Sequence, residues 1–291
     1  FAEDDSTIKY FDDPVYEPKI DSIPTVKTNL VHQRVGLLNW TTKTKIIVEK
    51  LCTYLPNKSE LEVFVSALND EMENTKQSLA KSYPKIKVSI KVIDFNELKE
   101  LENINPLGFD SIVILSPGGS TIEEMDAYVI SLLIRIRQIL LASTDGKNKN
   151  HKWPKLITEV MDSENIDIIL NSGVEDFMVS NQFVSQIMAQ VSEEPLALDV
   201  YDDLFRAEGS EIYIKPASNY FDFSESKTIK IKYGECIEAA QLREEIILGL
   251  QFYKAQKDKE NMFGLKLIPD KNEIFTLNAQ DGFIALAQDE G

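Results

Sequence analysis

The sequence is poor in cysteine, histidine and positive charge. Two cysteines among 291 residues exclude a disulfide framework, and we interpret both, Cys52 and Cys236, as core residues. Two histidines, His32 and His151, cannot build a histidine-rich metal centre. The 31 Lys and Arg residues stand against 48 Asp and Glu, which gives a formal net charge of −17. Such a chain repels nucleic-acid phosphates and attracts divalent cations, so we expect no nucleic-acid partner.

A long hydrophobic run is also missing. The most apolar stretch, residues 128–142 (YVISLLIRIRQILLA), is shorter than the roughly 20 residues that cross a bilayer, and two arginines interrupt it. We therefore predict a buried amphipathic helix there. The opening residues have no basic segment followed by an apolar core, so we expect no signal peptide among them. The first residue is Phe1 rather than Met, so we expect a soluble, intracellular piece of a longer protein whose membrane part, where it has one, lies outside these residues.

The hydrophobic pattern predicts an α/β fold. Residues 1–30 show little periodicity and are interpreted as an extended lead-in or linker. From residue 31 strands alternate with helices, which indicates a Rossmann-like, doubly wound parallel sheet over 31–180. Helices at 181–191 and 196–207, separated by Pro195, predict a helical crossover. From 208 to 291 shorter strands and one helix at 236–245 predict a small α+β unit, while 146–150 is a polar loop.

The first strand lacks the glycine fingerprint of dinucleotide-binding folds. In G-x-G-x-x-G the glycines let the backbone approach a pyrophosphate. The corresponding residues here are GLLNWT (36–41), with only the first glycine present. Classical NAD binding is therefore disfavoured, and the candidate ligand contacts at this strand tip are Gly36, Asn39 and Trp40.

A second candidate site follows the fourth strand, at Gly118-Gly119-Ser120-Thr121. The favoured interpretation is a helix cap, pairing Ser120 with Glu123 or Thr121 with Glu124. The alternative is a cation site formed by Glu123, Glu124 and Asp126, since hard cations such as Ca²⁺ take carboxylate oxygens. The sequence has no nucleophile elbow, zinc-protease motif or P-loop, so we predict no catalytic residues and no enzyme.

Several segments resemble one family, the CASTOR and POLLUX ion channels. The resemblance covers roughly residues 31–288 and is carried by FDSIVIL (109–115), LLIR (132–135), TEVMD (158–162), VSN (179–181), EGSEIYI (208–214) and EEIILG (244–249). At the first strand tip the family often has Gly-Trp followed by charged residues, whereas this chain has Asn39-Trp40-Thr41-Thr42.

The resemblance implies a cytosolic RCK domain, similar to TrkA-type potassium-uptake regulators, with an N-lobe, a helical crossover and a C-lobe. In such a family the domain belongs to an oligomeric gating ring at the cytoplasmic face of a membrane. Its partners would be the pore domain, a preceding RCK domain of the same longer chain, and further copies, as a dimer or a tetrameric ring. Ca²⁺ would be the ligand.

We further expect the crossover to carry an intersubunit or interlobe contact, or else to fill the core with the same apolar residues, Phe183, Val184, Ile187, Met188, Leu196 and Leu204. Two other functions stay open. One is an enzyme that uses NAD or S-adenosylmethionine on a Rossmann-like fold; the other is an assembly domain without a ligand.

Overall fold

The computed structural model describes residues 20, 23–25, 31–118, 121–143, 153–162, 177–206, 209–256, 258 and 261–288. The predicted loop at 146–150 and the side chain of Ser120 lie outside them. The chain divides into two compact units. One is Leu30–Leu198; the other combines Asp199–Gly291 with the described residues of the N-terminal 29.

The first unit is built on a six-stranded parallel sheet, which confirms the predicted Rossmann-like fold. Its strands are β1 (Arg34–Leu38), β2 (Glu60–Val65), β3 (Lys87–Val92), β4 (Ser111–Ile114), β5 (Lys155–Val160) and β6 (Phe177–Val179). Their order in the sheet is β3-β2-β1-β4-β5-β6, and every neighbouring pair is parallel. The winding direction thus reverses between β1 and β4.

Helices alternate with these strands along the chain. They are α1 (Thr44–Tyr54), α2 (Asp70–Ser82), α3 (Leu98–Asn103), α4 (Ile122–Ser143), α5 (Ser180–Glu193) and α6 (Ala197–Leu204), the last of which runs into the second unit. Pro195 stands between α5 and α6, as the sequence predicts.

Both faces of the sheet are covered by apolar side chains. On one face Leu38 and Ile114 belong to a core cluster with Leu133 and Ile136 of α4. On the other, Leu37 of β1 joins a cluster with residues of α1 and α2. A parallel sheet buried in this way has nearly continuous apolar strands, which explains the runs RVGLL and SIVI.

The second unit contains two antiparallel sheets. Strands β7 (Glu211–Pro216), β9 (Ile246–Gln251), β10 (Leu265–Leu267) and β12 (Gly282–Ala287) form one sheet in the order β10-β9-β12-β7, and β8 (Thr228–Lys232) pairs with β11 (Ile274–Asn278). Helix α7 spans Tyr233–Gln241. The sequence analysis did not predict β9 or β11. It also extended the helix to residue 245, whereas Glu244 takes a left-handed φ of 61° that ends it before β9.

A buried ion cluster holds β7 to the segment that precedes β9. The carboxylate of Glu245 accepts hydrogen bonds from Lys215 Nζ at 2.9 Å, from Arg243 Nε at 3.1 Å and from the Tyr220 hydroxyl at 2.5 Å. Lys215 and Glu245 are almost fully buried, with side chains 2% and 5% exposed. Burial, reinforced by the Glu245 carboxylate, raises the pKa of Tyr220, so its phenol stays a hydrogen-bond donor.

We expect Glu245→Ala to destabilise the second unit by about 3–5 kcal/mol, because it leaves the buried Lys215 ammonium without its counter-ion. Glu273→Ala is the control, since it removes a pair with Lys266 whose side chains are 42% and 37% exposed; its cost should not exceed about 1 kcal/mol. Urea unfolding of the two variants measures the difference. Equal losses of stability would contradict a special role for the Glu245 cluster.

Candidate functional site

The main candidate site is a crevice at the carboxyl ends of β1, β4 and β5. In open α/β sheets ligands bind where the winding direction reverses, and this chain reverses between β1 and β4. A cavity of about 560 Å³ lies there, lined by Trp40, Thr41, Thr42, Lys43, Glu71, Ser116, Gly118, Met125, Glu159 and Met161. Its size falls in the range of small-molecule sites.

Asn39 fixes the turn that follows β1. It is buried and left-handed, with φ of 79°, a conformation that glycine and asparagine adopt more readily than other residues. Its side-chain Nδ2 donates to the carbonyl of Leu115 at 2.9 Å, and its Oδ1 accepts from the Tyr128 hydroxyl at 3.2 Å. Burial raises the pKa of Tyr128 although the bond to Asn39 opposes the shift, and the phenol remains a donor. Asn39 therefore joins the ends of β1 and β4 to helix α4.

Of the three predicted ligand contacts, only Trp40 lines the crevice. Gly36 is the third residue of β1, two positions before the strand ends, and does not line the crevice. A Cβ at this position would lie 3.2 Å from the Phe109 ring, so the glycine makes room for packing. The polar side-chain atoms of Asn39 are already engaged in the hydrogen bonds to Leu115 and Tyr128.

The turn into α1 is held by threonine side chains instead of glycines. Thr41 N donates to Thr44 Oγ1 at 2.7 Å, and Lys43 N donates to Thr41 Oγ1 at 3.2 Å. These bonds satisfy backbone groups that the glycine loop of a dinucleotide site would present to a pyrophosphate. The half-buried Trp40 packs against the core beside them.

Among the described residues that line the crevice, the charged groups are two carboxylates and one ammonium. Glu159, near the end of β5, is buried and pairs with the more exposed Lys43 at the start of α1. Glu71 lies in the first turn of α2. A cavity with this balance repels a pyrophosphate, whereas its carboxylate oxygens can accept hydrogen bonds from hydroxyl or amine groups. The sequence analysis missed Lys43, Glu71 and Glu159; an acidic residue at the end of the fifth strand was the available signal for Glu159.

In the described residues, the three side chains of the predicted acidic site after β4 are not gathered into one cluster. Glu123 and Glu124 are exposed, whereas Asp126 is 1% exposed and its two carboxylate oxygens accept from the backbone N–H groups of Met161 and Asp162, both at 2.9 Å. Thr121 Oγ1 accepts from Glu124 N at 3.2 Å, which is a helix cap. Within the described ranges, no group of three His, Cys, Asp or Glu side chains could hold a metal ion.

Both cysteines are buried, as predicted. Burial, with a smaller contribution from a neighbouring glutamate, raises the pKa of Cys52 to about 11 and that of Cys236 to about 12. Neither thiol ionises near neutral pH. Because the thiolate is the nucleophilic form of cysteine, both side chains are poor nucleophiles.

The crossover helices carry the second candidate surface. Of the six predicted apolar contacts, Phe183, Val184, Met188 and Leu196 are exposed, Met188 at 67% and Leu196 at 71%, while Ile187 and Leu204 are partly buried. In the described part of the chain these residues therefore do not fill a core. Among the helices that the structure describes, none is long and apolar enough to span a bilayer.

The fold is similar to that of a solved ion-channel gating ring. The human SLO3 gating ring superposes with a TM-score of 0.54 at 11% sequence identity, over 89% of this chain and 44% of that chain. No protein-family model matches the chain.

The sequence is similar to plant ion channels. POLLUX of Arabidopsis thaliana, described as a probable ion channel, is 24% identical over 99% of this chain and 37% of its own length. CASTOR of Lotus japonicus, an ion channel, is 26% identical over 55% of this chain and 21% of its own length. The chain is thus similar in sequence to the CASTOR and POLLUX ion channels, and the predicted resemblance is confirmed. It spans about a third or less of the length of these relatives.

We expect Asp126→Asn to cost about 1–3 kcal/mol of unfolding free energy, because an amide NH₂ replaces one of the two oxygens that accept backbone N–H groups. Glu123→Gln is the matched control, three residues away on the same helix and exposed, and should change stability by no more than about 0.5 kcal/mol. Urea unfolding of both variants tests this. A Glu123→Gln loss as large as that of Asp126→Asn would show that the contacts with the end of β5 do not matter.

Proposed function

We propose that this chain is the cytosolic regulatory domain of a cation channel or transporter, part of a gating ring at the cytoplasmic face of a membrane. The observation that carries the proposal is the similarity to POLLUX, which extends over 99% of the chain. The gating-ring fold supports it. In this proposal residues 31–180 are the N-lobe, 181–207 the crossover and 208–291 the C-lobe of an RCK domain, which performs no catalysis. The pore domain and a preceding RCK domain belong to the same longer chain.

The crevice beside Trp40 is the proposed ligand site. A regulatory domain acts as a two-state element: a ligand shifts it only by binding one state more tightly than the other. A crevice bordered by the ends of three strands and the starts of two helices, α1 and α2, suits this role, since a ligand there contacts several elements at once. Movement of these elements would then be passed through linkers to the pore.

We propose calcium as the ligand because of the charge of the chain: a net charge of −17 concentrates divalent cations near its surface. The crevice supplies two carboxylates, Glu71 and Glu159, while calcium takes six to eight oxygens. The remaining oxygens would have to come from water molecules bound to the calcium ion or from residues outside the described ranges. NAD and related cofactors are the alternative ligands: the same carboxylates suit the hydroxyl groups of a ribose, although they disfavour the pyrophosphate of NAD.

A ligand test separates these possibilities. We expect calcium at 100 times its dissociation constant to raise the free energy of unfolding by about 2.7 kcal/mol, whereas magnesium does not. Thermal unfolding with calcium, magnesium, NAD, NADH, ATP and S-adenosylmethionine in parallel measures it. Glu159→Gln should abolish the shift, because it removes the buried carboxylate of the crevice.

Glu124→Gln is the matched control, since Glu124 is an exposed glutamate that does not line the crevice. A shift that survives Glu159→Gln would place the ligand elsewhere. A shift with a nucleotide cofactor alone would contradict calcium sensing and favour the enzyme alternative, to be checked by turnover. No shift with any of the six would leave a ligand-free assembly domain.

Assembly into a dimer or a ring is the second part of the proposal. Exposed apolar side chains on one helix usually mark a contact with another molecule. The exposed residues Phe183, Val184 and Met188 lie along α5 at the spacing of one helix face, and Ile187 lies among them. We therefore propose that α5, with Leu196 and Leu204 beyond it, forms the contact between copies of the chain.

We expect Met188→Asp to weaken self-association by at least tenfold, because it places a charge in an apolar contact. Gln182→Asp is the control: it introduces the same charge at an exposed polar position of α5. Sedimentation velocity over a concentration series measures the mass of each variant. A chain that is monomeric at all concentrations, or a Met188→Asp variant that associates like Gln182→Asp, would contradict an α5 interface.

A further inference from the structure

The N-terminal segment before β1 contacts the core of the second unit. Ile20 and Ile23 are half-buried and pack against the apolar cluster that contains Tyr220, Cys236 and Phe283. The sequence analysis interpreted residues 1–30 as an extended lead-in or linker. Ile20 and Ile23 do not behave as linker residues, because their side chains pack on a core that is distant in sequence.

A directed hydrogen bond fixes the same contact. The backbone N–H of Ile20 donates to Glu238 Oε2 at 3.0 Å, across 218 positions of sequence. Glu238 lies on α7, whose neighbouring residues Ala239 and Ala240 are fully buried in the core. A hydrogen bond to a carboxylate is stronger than one between neutral groups, and Glu238 is half-buried, which limits competition from water.

The sequence of the segment suits docking. Pro24 follows Ile23 and restricts it to extended conformations. That restriction lowers the conformational entropy lost when the segment becomes ordered. The segment thus supplies two β-branched apolar side chains, one restricted backbone position and one N–H donor, and α7 supplies the matching acceptor.

We propose that the second unit carries a docking site for an extended peptide segment with two isoleucines three positions apart, beside Glu238 on α7, and that the chain's own Ile20 and Ile23 occupy it. Glu238 positions the segment by accepting the Ile20 N–H. Anything joined to the N-terminal side of this segment is thereby anchored to the second unit before the chain enters β1. The proposal does not depend on channel regulation, because it rests on these contacts alone.

Hydrogen exchange of the full chain tests the docking site. We expect the Ile20 amide to exchange at least tenfold more slowly than in a free peptide of residues 17–29. Ile23→Ser removes an apolar contact at the edge of the core, and Glu238→Ala removes the acceptor; each should return the Ile20 amide toward the peptide rate. Glu238→Gln keeps an acceptor oxygen and should retain protection.

Val31→Ser is the control, because Val31 is an apolar residue that is 66% exposed and belongs to the first unit, not to the docked segment. It should leave the Ile20 amide protected. Slow exchange of the amides of β9 and β12 reports whether the second unit of each variant is folded. If these amides lose their protection in Glu238→Ala, the comparison with Ile23→Ser decides the test. An Ile20 amide that exchanges at the peptide rate in the unmodified chain, or one that is indifferent to Ile23→Ser, would overturn the proposal.

Discussion

The first unit depends on one constraint, that a parallel sheet has to be covered by apolar side chains on both faces. The continuous apolar strands β1 and β4 meet this requirement with clusters on either side. Helices then have to lie on both faces, and the winding direction has to reverse between β1 and β4. That reversal opens the crevice, and Asn39 holds its base by joining the ends of both strands to α4. The position of the candidate site is therefore a consequence of how the sheet is buried.

The chemistry of the crevice differs from that of a dinucleotide enzyme on a similar sheet. A left-handed asparagine and two threonines complete the turn after β1, and their hydrogen bonds engage groups that a glycine loop would leave for phosphate. Trp40 and the pair Lys43–Glu159 line the cavity. A site with these groups favours a ligand with cationic or hydroxyl groups.

The sequence predicted the fold well where hydrophobic patterns decide it, as in the parallel strands and the long helix α4. It failed where a single backbone angle decides, because the left-handed Glu244 converts an apparent helix into the turn before β9. It also failed where side chains from distant segments meet. The spacing of Glu123, Glu124 and Asp126 does not reveal the partners of the Asp126 carboxylate. These are the backbone N–H groups of Met161 and Asp162, which donate to it. Likewise Lys43 and Glu159 are 116 positions apart and only the sheet order brings them together.

The contact of Ile20 with Glu238 has a consequence for how the chain folds during synthesis. Leu30–Leu198 is continuous in sequence, so it can fold as soon as it has left the ribosome. The second unit joins residues from both ends of the chain, and Ile20 emerges 218 residues before its acceptor. Closing so long a loop is slow, and β12, which lies between β7 and β9 in the sheet, is made after both of them. Docking of the N-terminal segment therefore has to wait until α7, which carries Glu238, has been made.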